Sequence, residues 1–143
     1  MEDSKSIYAK AYFNLLKTGS WVEERIKEAL KPLELTHAQL NVLHLLYEND
    51  PDPVSASDLK NRILVNNPDV TRLLDRLVKK GFVERGICRE NRRKVDISIT
   101  ENGKRLFEEA YLKAKMASGD FFEKKITEEE AIELRRILHK IRM

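Results

Sequence analysis

A mainly α-helical chain with one small β hairpin is what this sequence predicts, and three observations carry that expectation. Apolar residues recur at spacings of three and four over most of the chain, the pattern of amphipathic helices. The 143 residues include only 5 Gly and 4 Pro, too few for a turn-dense β sandwich or a Gly-rich phosphate-binding fold. The period changes from 3.6 to 2 only once, between Phe82 and Ile99. With 41% hydrophobic and 36% charged residues, the chain has enough apolar material for one core, which disfavours disorder.

The elements follow in order. A first helix is expected from Ile7 to Leu30, where Tyr8, Ala11, Tyr12, Leu15, Gly19, Val22, Ile26 and Leu30 form one stripe that ends near Pro32. Thr36-His37-Ala38-Gln39 has the form of a capping box opening a second helix, with Leu40, Leu43, Leu46 and Tyr47 on its apolar side. Asn49-Asp50-Pro51-Asp52-Pro53 breaks it. Ser55-Ala56-Ser57-Asp58 reads as the start of a short third helix reaching about Ile63.

Asn67-Pro68 reads as the start of a fourth helix, because Asn is a favoured cap and Pro, lacking a backbone proton, fits the first helical position. At about 100° per residue from Val70, Leu73, Leu74, Leu77 and Val78 fall within about 80° of it, with Arg72 and Lys79 almost opposite. Gly81 ends this helix in the position where a left-handed conformation is common. The run Phe82 to Cys88 and the alternation of Val95, Ile97 and Ile99 with Asp96 and Ser98 then give a hairpin. Arg89-Glu90-Asn91-Arg92-Arg93-Lys94 forms its cationic tip. Thr100 can cap a fifth helix carrying Leu106, Phe107, Ala110, Ala114 and Phe121. Thr127-Glu128-Glu129-Glu130 is a further capping box, opening a sixth helix with Leu134, Leu138 and Ile141 along one edge.

The formal net charge of +3 conceals a segregation. Residues 54–105 carry 13 Lys/Arg against 7 Asp/Glu, a net +6, while the remainder carries 14 against 17, a net −3. No apolar run approaches the roughly 20 residues of a membrane helix. The single Cys and the polar N-terminus point to a reducing cytoplasm.

A basic module built around an amphipathic helix and a cationic hairpin points to nucleic acid. A helix exposing Thr71, Arg72, Asp75, Arg76 and Lys79 can lie in a major groove with its first turn at the base edges. The candidates near that turn are Asn66, Asn67, Asp69, Val70, Thr71 and Arg72, with Arg76 beyond. Arg72 is suited to guanine and Asn67 to adenine, while Asp69 and Val70 could meet cytosine amino groups or thymine methyls. A solvated face kept for solubility is the plain alternative. The hairpin shifts the balance: Arg85, Arg89, Arg92, Arg93 and Lys94 stand against Glu90 alone, a charge that suits a minor groove or flanking phosphates.

Residues 36–107 resemble the winged helix-turn-helix domain of the MarR family of bacterial transcription regulators. The matching stretches are Leu35-Thr36-His37-Ala38-Gln39-Leu40, Ser57-Asp58-Leu59, Asp69-Val70-Thr71-Arg72-Leu73-Leu74-Asp75-Arg76-Leu77, Lys80-Gly81-Phe82-Val83-Glu84-Arg85, Arg92-Arg93-Lys94 and Thr100-Glu101-Asn102-Gly103. The resemblance implies a single domain of six helices with a two- or three-stranded wing sheet. Residues 36–107 would be the DNA-binding part, and 1–33 and 108–143 a helical dimerisation part. It also implies that Arg93 enters the minor groove, with Arg89, Asn91, Arg92 and Lys94 beside it. Asn91 stands where the family often has an Asp that orients this Arg; Asn still accepts a hydrogen bond but supplies no charge.

The resemblance further implies a homodimer on a near-palindromic operator, acting as a repressor, and a site for a small phenolic or other amphipathic effector. Tyr12, Phe13, Trp21 and Tyr47 are candidates to line such a pocket, and ordinary core packing explains them as well. Cys88 is expected to be a buried inert thiol rather than a sensor. No catalytic residue, metal site or cofactor is expected. His37 and His44 stand about 10.5 Å apart along a helix at 1.5 Å per residue, too far for one metal ion, and no hydrolase or phosphate-loop motif occurs. The rival reading is a winged-helix module that binds protein alone, which the basic hairpin disfavours.

Overall fold

The structure, a computed structural model, describes residues 6–63 and 69–143. Among these, six α-helices and three short strands follow in the order α1 (Ile7–Leu30), α2 (His37–Asn49), β1 (Val54–Ser55), α3 (Ala56–Arg62), α4 (Val70–Lys79), β2 (Val83–Ile87), β3 (Val95–Ile99), α5 (Glu101–Lys125) and α6 (Glu128–Arg142). A 3-10 turn at Lys31–Leu33, with Pro32 inside it, follows α1. The chain divides into two compact units, one of residues 1–29 with 114–143 and one of residues 30–113.

The unit of residues 30–113 holds the sheet. Its antiparallel strands lie in the order β1-β3-β2, with Val54 opposite Ile97 and Val83 opposite Ile99. Strand β1 gives the three-stranded form of the wing sheet that the family resemblance implies; periodicity alone yields only the hairpin, because two residues are too short to show a period. Leu43, Leu46, Leu59, Leu77, Val83 and Ile97 are the fully enclosed centre. Burying a side chain of this kind stabilises by about 1.5–3 kcal/mol, so α2, α3, α4 and the sheet are held by a shared apolar interior.

Local signals position the helices around that core. Thr36 accepts from the Gln39 amide at 3.1 Å while the Gln39 side chain accepts from the Thr36 amide at 3.0 Å, the reciprocal capping box. Ser55 caps α3 by accepting from the Asp58 amide at 3.2 Å. Gly81 takes φ +79°, the left-handed conformation that ends α4. Thr100 joins three elements: its amide donates to Phe82 O at 3.1 Å, its hydroxyl donates to Gly81 O at 2.7 Å, and Oγ1 accepts from the Gly103 amide at 3.0 Å. Lys104 reaches Asp50 at 2.9 Å and Glu101 at 3.0 Å, and the Asp50 hydrogen bond, followed by that to Glu101, holds its ammonium above the usual lysine range.

The fourth helix begins later than expected. Asp69, not Asn67, is its cap: the Asp69 carboxylate accepts from the Arg72 amide at 3.0 Å. A carboxylate at this position satisfies an otherwise orphaned amide and meets the positive end of the helix. Asn66, Asn67 and Pro68 lie outside the described residues.

In the other unit, Trp21 meets Phe121 edge-on at 4.7 Å, and the Arg25 guanidinium stands 4.7 Å from the Trp21 ring centre. Arg25 Nε donates to Ala117 O at 3.2 Å. Thr127 and Glu130 form the predicted capping box of α6, at 2.9 and 3.1 Å. The apolar stripe expected on α1 is not covered near its start: Tyr8 is 85% exposed and Tyr12 57%. Among the described residues no helix is long and apolar enough to cross a membrane.

Candidate nucleic-acid interface

Helix α4 turns Val70, Leu73, Leu74 and Leu77 into the core, which leaves Thr71, Arg72, Asp75, Arg76 and Lys79 on its exposed side. The inward set anchors the helix and the outward set can meet a partner. Val70 belongs to the first group. At 8% exposure its side chain fills the interior, so the expected thymine contact at this position gives way to packing. Asp69 is committed to the helix start, its second oxygen lying 3.5 Å from Arg72 Nε. Arg72 itself remains 74% exposed. Arg72 and Arg76 line one side of a hollow of about 250 Å³ whose opposite wall is Thr36 and Gln39, at the start of α2.

The hairpin tip is built by the backbone around Asn91. Its side-chain oxygen accepts from the Arg93 amide at 3.1 Å and its carbonyl from the Lys94 amide at 2.9 Å, while the Cys88 amide donates to Lys94 O at 3.1 Å. Asn91 therefore shapes the turn that carries Arg93. Arg89, Arg92, Arg93 and Lys94 are all exposed, and none of them forms an ion pair among the described residues. They are cations held up by a hairpin with no acid assigned to them. A groove of about 710 Å³ beside the tip is bordered by Asp58, Arg89, Glu90, Lys94 and Asp96, acids and bases together.

Arg85 differs from the other basic residues of the hairpin. Its guanidinium donates to the Asp75 carboxylate on α4 and lies 3.4 Å from Thr71 O. By position in the sequence it groups with the tip residues. The strand places it instead beside the helix, a separation that residue spacing alone does not reveal.

The aromatic candidates fall into separate groups. Tyr47 packs against Phe107 at 4.5 Å between ring centres and donates to Glu108 at 2.8 Å. That hydrogen bond is the main reason its phenol is held above the usual tyrosine range, with burial second. His44 stacks on Phe107 at 5.2 Å, and its Nε2 is 2.9 Å from Glu48. Tyr12 and Phe13 meet each other edge-on at 5.4 Å and are both exposed. Trp21, with Glu24, Arg25, Glu28, Ala29 and Ala117, lines a groove of about 490 Å³. Cys88 is a free thiol of intermediate exposure rather than a buried one. Among the described residues no group of His, Cys, Asp and Glu is arranged to hold a metal ion.

Residues 35–95 match the model of the MarR family. An uncharacterized HTH-type transcriptional regulator of Bacillus subtilis, YfiV, is 38% identical over 81 residues, which cover 57% of this chain and 49% of that protein. The match thus spans about half the length of that relative. Among solved structures, a MarR-family transcriptional regulator from Rhodococcus sp. RHA1 is 27% identical with a TM-score of 0.81, covering 96% of each chain. A cysteine-to-serine mutant of MarR from E. coli complexed with operator DNA is 26% identical with a TM-score of 0.78, again covering 96% of each. CouR from Rhodococcus jostii RHA1, bound to p-coumaroyl-CoA, is 27% identical with a TM-score of 0.77, covering 92% of this chain and 90% of that one.

Proposed function

From the match of residues 35–95 to the MarR family model and a fold similar over nearly the whole chain to a MarR-family regulator, we propose a DNA-binding transcriptional regulator of that family that acts as a homodimeric repressor. The observation that carries this reading is the pairing of two cationic features on one sheet-and-helix unit. Arg72 and Arg76 project from a helix whose other face is core, and Arg92, Arg93 and Lys94 project from a hairpin tip. The helix would supply base contacts in the major groove, and the tip would supply contacts to phosphates or to the minor groove. Occupying the operator would exclude polymerase.

The second copy is supported by apolar side chains left in the open. Ile7, Tyr8, Tyr12 and Phe13 on α1 and Ile132, Ile137 and Ile141 on α6 are each exposed by 40% or more. Exposed apolar side chains recurring along a helix mark an association surface when a partner covers them. Two-fold pairing through these helices sets two reading helices about one duplex turn apart, roughly 34–36 Å, and so calls for a near-palindromic site.

An effector response is the finer part of the proposal. The groove beside Trp21 offers an aromatic face and the Arg25 guanidinium, a fit for a small amphipathic acid with an aromatic ring. A structural neighbour, CouR, is bound to p-coumaroyl-CoA, a ligand that also carries an aromatic ring, which supports an aromatic effector.

The test is selection of bound duplexes from a random pool by the full chain, followed by binding across a salt series. A DNA reader yields a consensus with half-sites one turn apart and an affinity falling linearly on a log-log plot against salt. Failure to retain any duplex at low salt would leave the protein-contact module as the better reading.

A further inference from the structure

The exposed side of α4 is divided lengthwise. Arg72 and Arg76 border the hollow beside Thr36 and Gln39, whereas Thr71 and Asp75 lie along the edge that faces β2. Arg85, the third residue of β2 and the register partner of Ile97, reaches across to that second edge. Its guanidinium donates to the Asp75 carboxylate and approaches the Thr71 carbonyl. The side chain is only 34% exposed, against 74% for Arg72. Among the described residues it is the one cation between positions 85 and 94 that is held in an ion pair.

Two consequences follow from this geometry. Asp75 puts a negative charge on a helix face that otherwise presents cations, and Arg85 neutralises it. The pair also joins two elements whose functional ends diverge, α4 and the hairpin that carries Arg93. We propose that Arg85 is a positioning residue, acting through Asp75 to fix the hairpin on the reading helix, and is not one of the phosphate-binding cations. This rests on the DNA-binding reading above, and it fixes which of the basic residues touch DNA and which set the distance between those that do.

The sign of one substitution separates the alternatives. Asp75→Asn adds one unit of positive charge, so it would tighten DNA binding if Arg85 were a phosphate contact held back by the carboxylate. Acting as a positioning pair, it should weaken binding by about two- to fivefold, the equilibrium equivalent of a partly exposed ion pair.

The experiment measures the full chain and its Asp75→Asn, Arg85→Gln and double variants on a labelled duplex recovered by selection, from 50 to 200 mM salt. Both single variants should weaken binding, the double should be no worse than either, and Arg85→Gln should leave the salt slope nearly unchanged. Arg93→Gln is the reference for a phosphate contact and should lower the slope by about 0.9. Tighter or unchanged binding by Asp75→Asn, or a slope loss of about 0.9 for Arg85→Gln, overturns the proposal.

A second measurement does not need DNA. Hydrogen exchange of the free protein should show faster exchange of the amides paired between β2 and β3 in Arg85→Gln, and unchanged protection there overturns the docking role. If no duplex is retained by the unaltered chain, the DNA reading fails, and this exchange result still decides the positioning role.

Discussion

Gly103→Ala should destabilise the protein far more than a methyl group normally does. A Cβ built on Gly103 would lie 2.1 Å from Phe82 O and 2.7 Å from Ile99 Cγ1. The nearer obstacle is backbone, so no rotamer change can relieve it. Ordinary contact begins near 3.4 Å, so the start of α5 must move by about 1 Å from the base of the hairpin. Thr100 opposes that shift, because it ties Gly81, Phe82 and Gly103 together by three hydrogen bonds. Overpacking costs about 1–3 kcal/mol, and an immovable backbone partner argues for the upper end. At about 2–4 °C per kcal/mol for a chain of this size, the melting temperature should fall by about 6–12 °C. The assay is thermal unfolding at fixed protein concentration, since assembly shifts apparent stability. Gly19→Ala is the matched control, as nothing lies within 4 Å of its added Cβ and Ala is favoured over Gly in a helix by about 0.8–1 kcal/mol, so its melting temperature should rise. A Gly103→Ala melt within about 1 °C of the unaltered protein would refute the reasoning.

The other expectations concern the interface and its surroundings. Arg93→Ala should cost about 3.5-fold more affinity at 50 mM salt than at 200 mM, the effect of losing one phosphate contact; a loss independent of salt would remove it from the phosphate-binding set. Arg72→Ala should instead relax base preference at one position of each half-site by about 1–3 kcal/mol, measured by competition between duplexes, and uniform weakening across sequences would contradict a base-reading role. Tyr47 should ionise above the usual tyrosine range, because its hydroxyl donates to Glu108. A phenol whose pKa is raised by folding lends stability in full below the unfolded pKa and loses it as pH rises through the folded one. Difference ultraviolet titration of Tyr47→Phe should therefore lack the late component seen in the unaltered protein. Since Trp21 is the single Trp, an aromatic acid bound in its groove should quench intrinsic fluorescence, and Arg25→Ala should abolish the quenching.

Whatever depended on a few neighbouring residues could be read from the sequence. Both capping boxes, at Thr36 and Thr127, have donor and acceptor within four positions, and the left-handed Gly81 follows a helix with a sharp apolar face. One boundary differs from its local signal: Asn67-Pro68 reads as the start of α4, whereas the Asp69 carboxylate caps it. Val70 was already assigned inward by the helical wheel that grouped it with Leu73 and Leu77. Only its nearness to the first turn suggested a base contact, and burial decides for the wheel. Nothing in the sequence pointed to the contact between Asp75 and Arg85, because their separation depends on how Gly81 redirects the chain from helix to strand. The resemblance allows for a third strand, but residue periodicity does not locate it: Val54 and Ser55 pair with Ile97 and Asp96, residues more than forty positions away.

The caps also bear on how an anion would be held. The starts of α2, α3, α4 and α6 are each occupied by a side chain of the same segment, from Thr36, Ser55, Asp69 and Thr127. One amide at each of these termini is therefore already satisfied, and at α4 the occupant is a carboxylate that offsets the positive end of the helix. Asp69 at the start of α4 makes this terminus a poor phosphate cradle, so backbone amides there would not be the source of affinity for a phosphate backbone. On the DNA-binding reading proposed above, the affinity would come instead from exposed cationic side chains, chiefly Arg72, Arg76 and the tip residues Arg92, Arg93 and Lys94. Side-chain cations exchange phosphate for solution anions readily, so binding carried by them is steeply dependent on salt. On that reading the net +6 of residues 54–105 would act through a few exposed side chains, while Arg85, counted in the same total, is paired with Asp75 and would serve the geometry that spaces them.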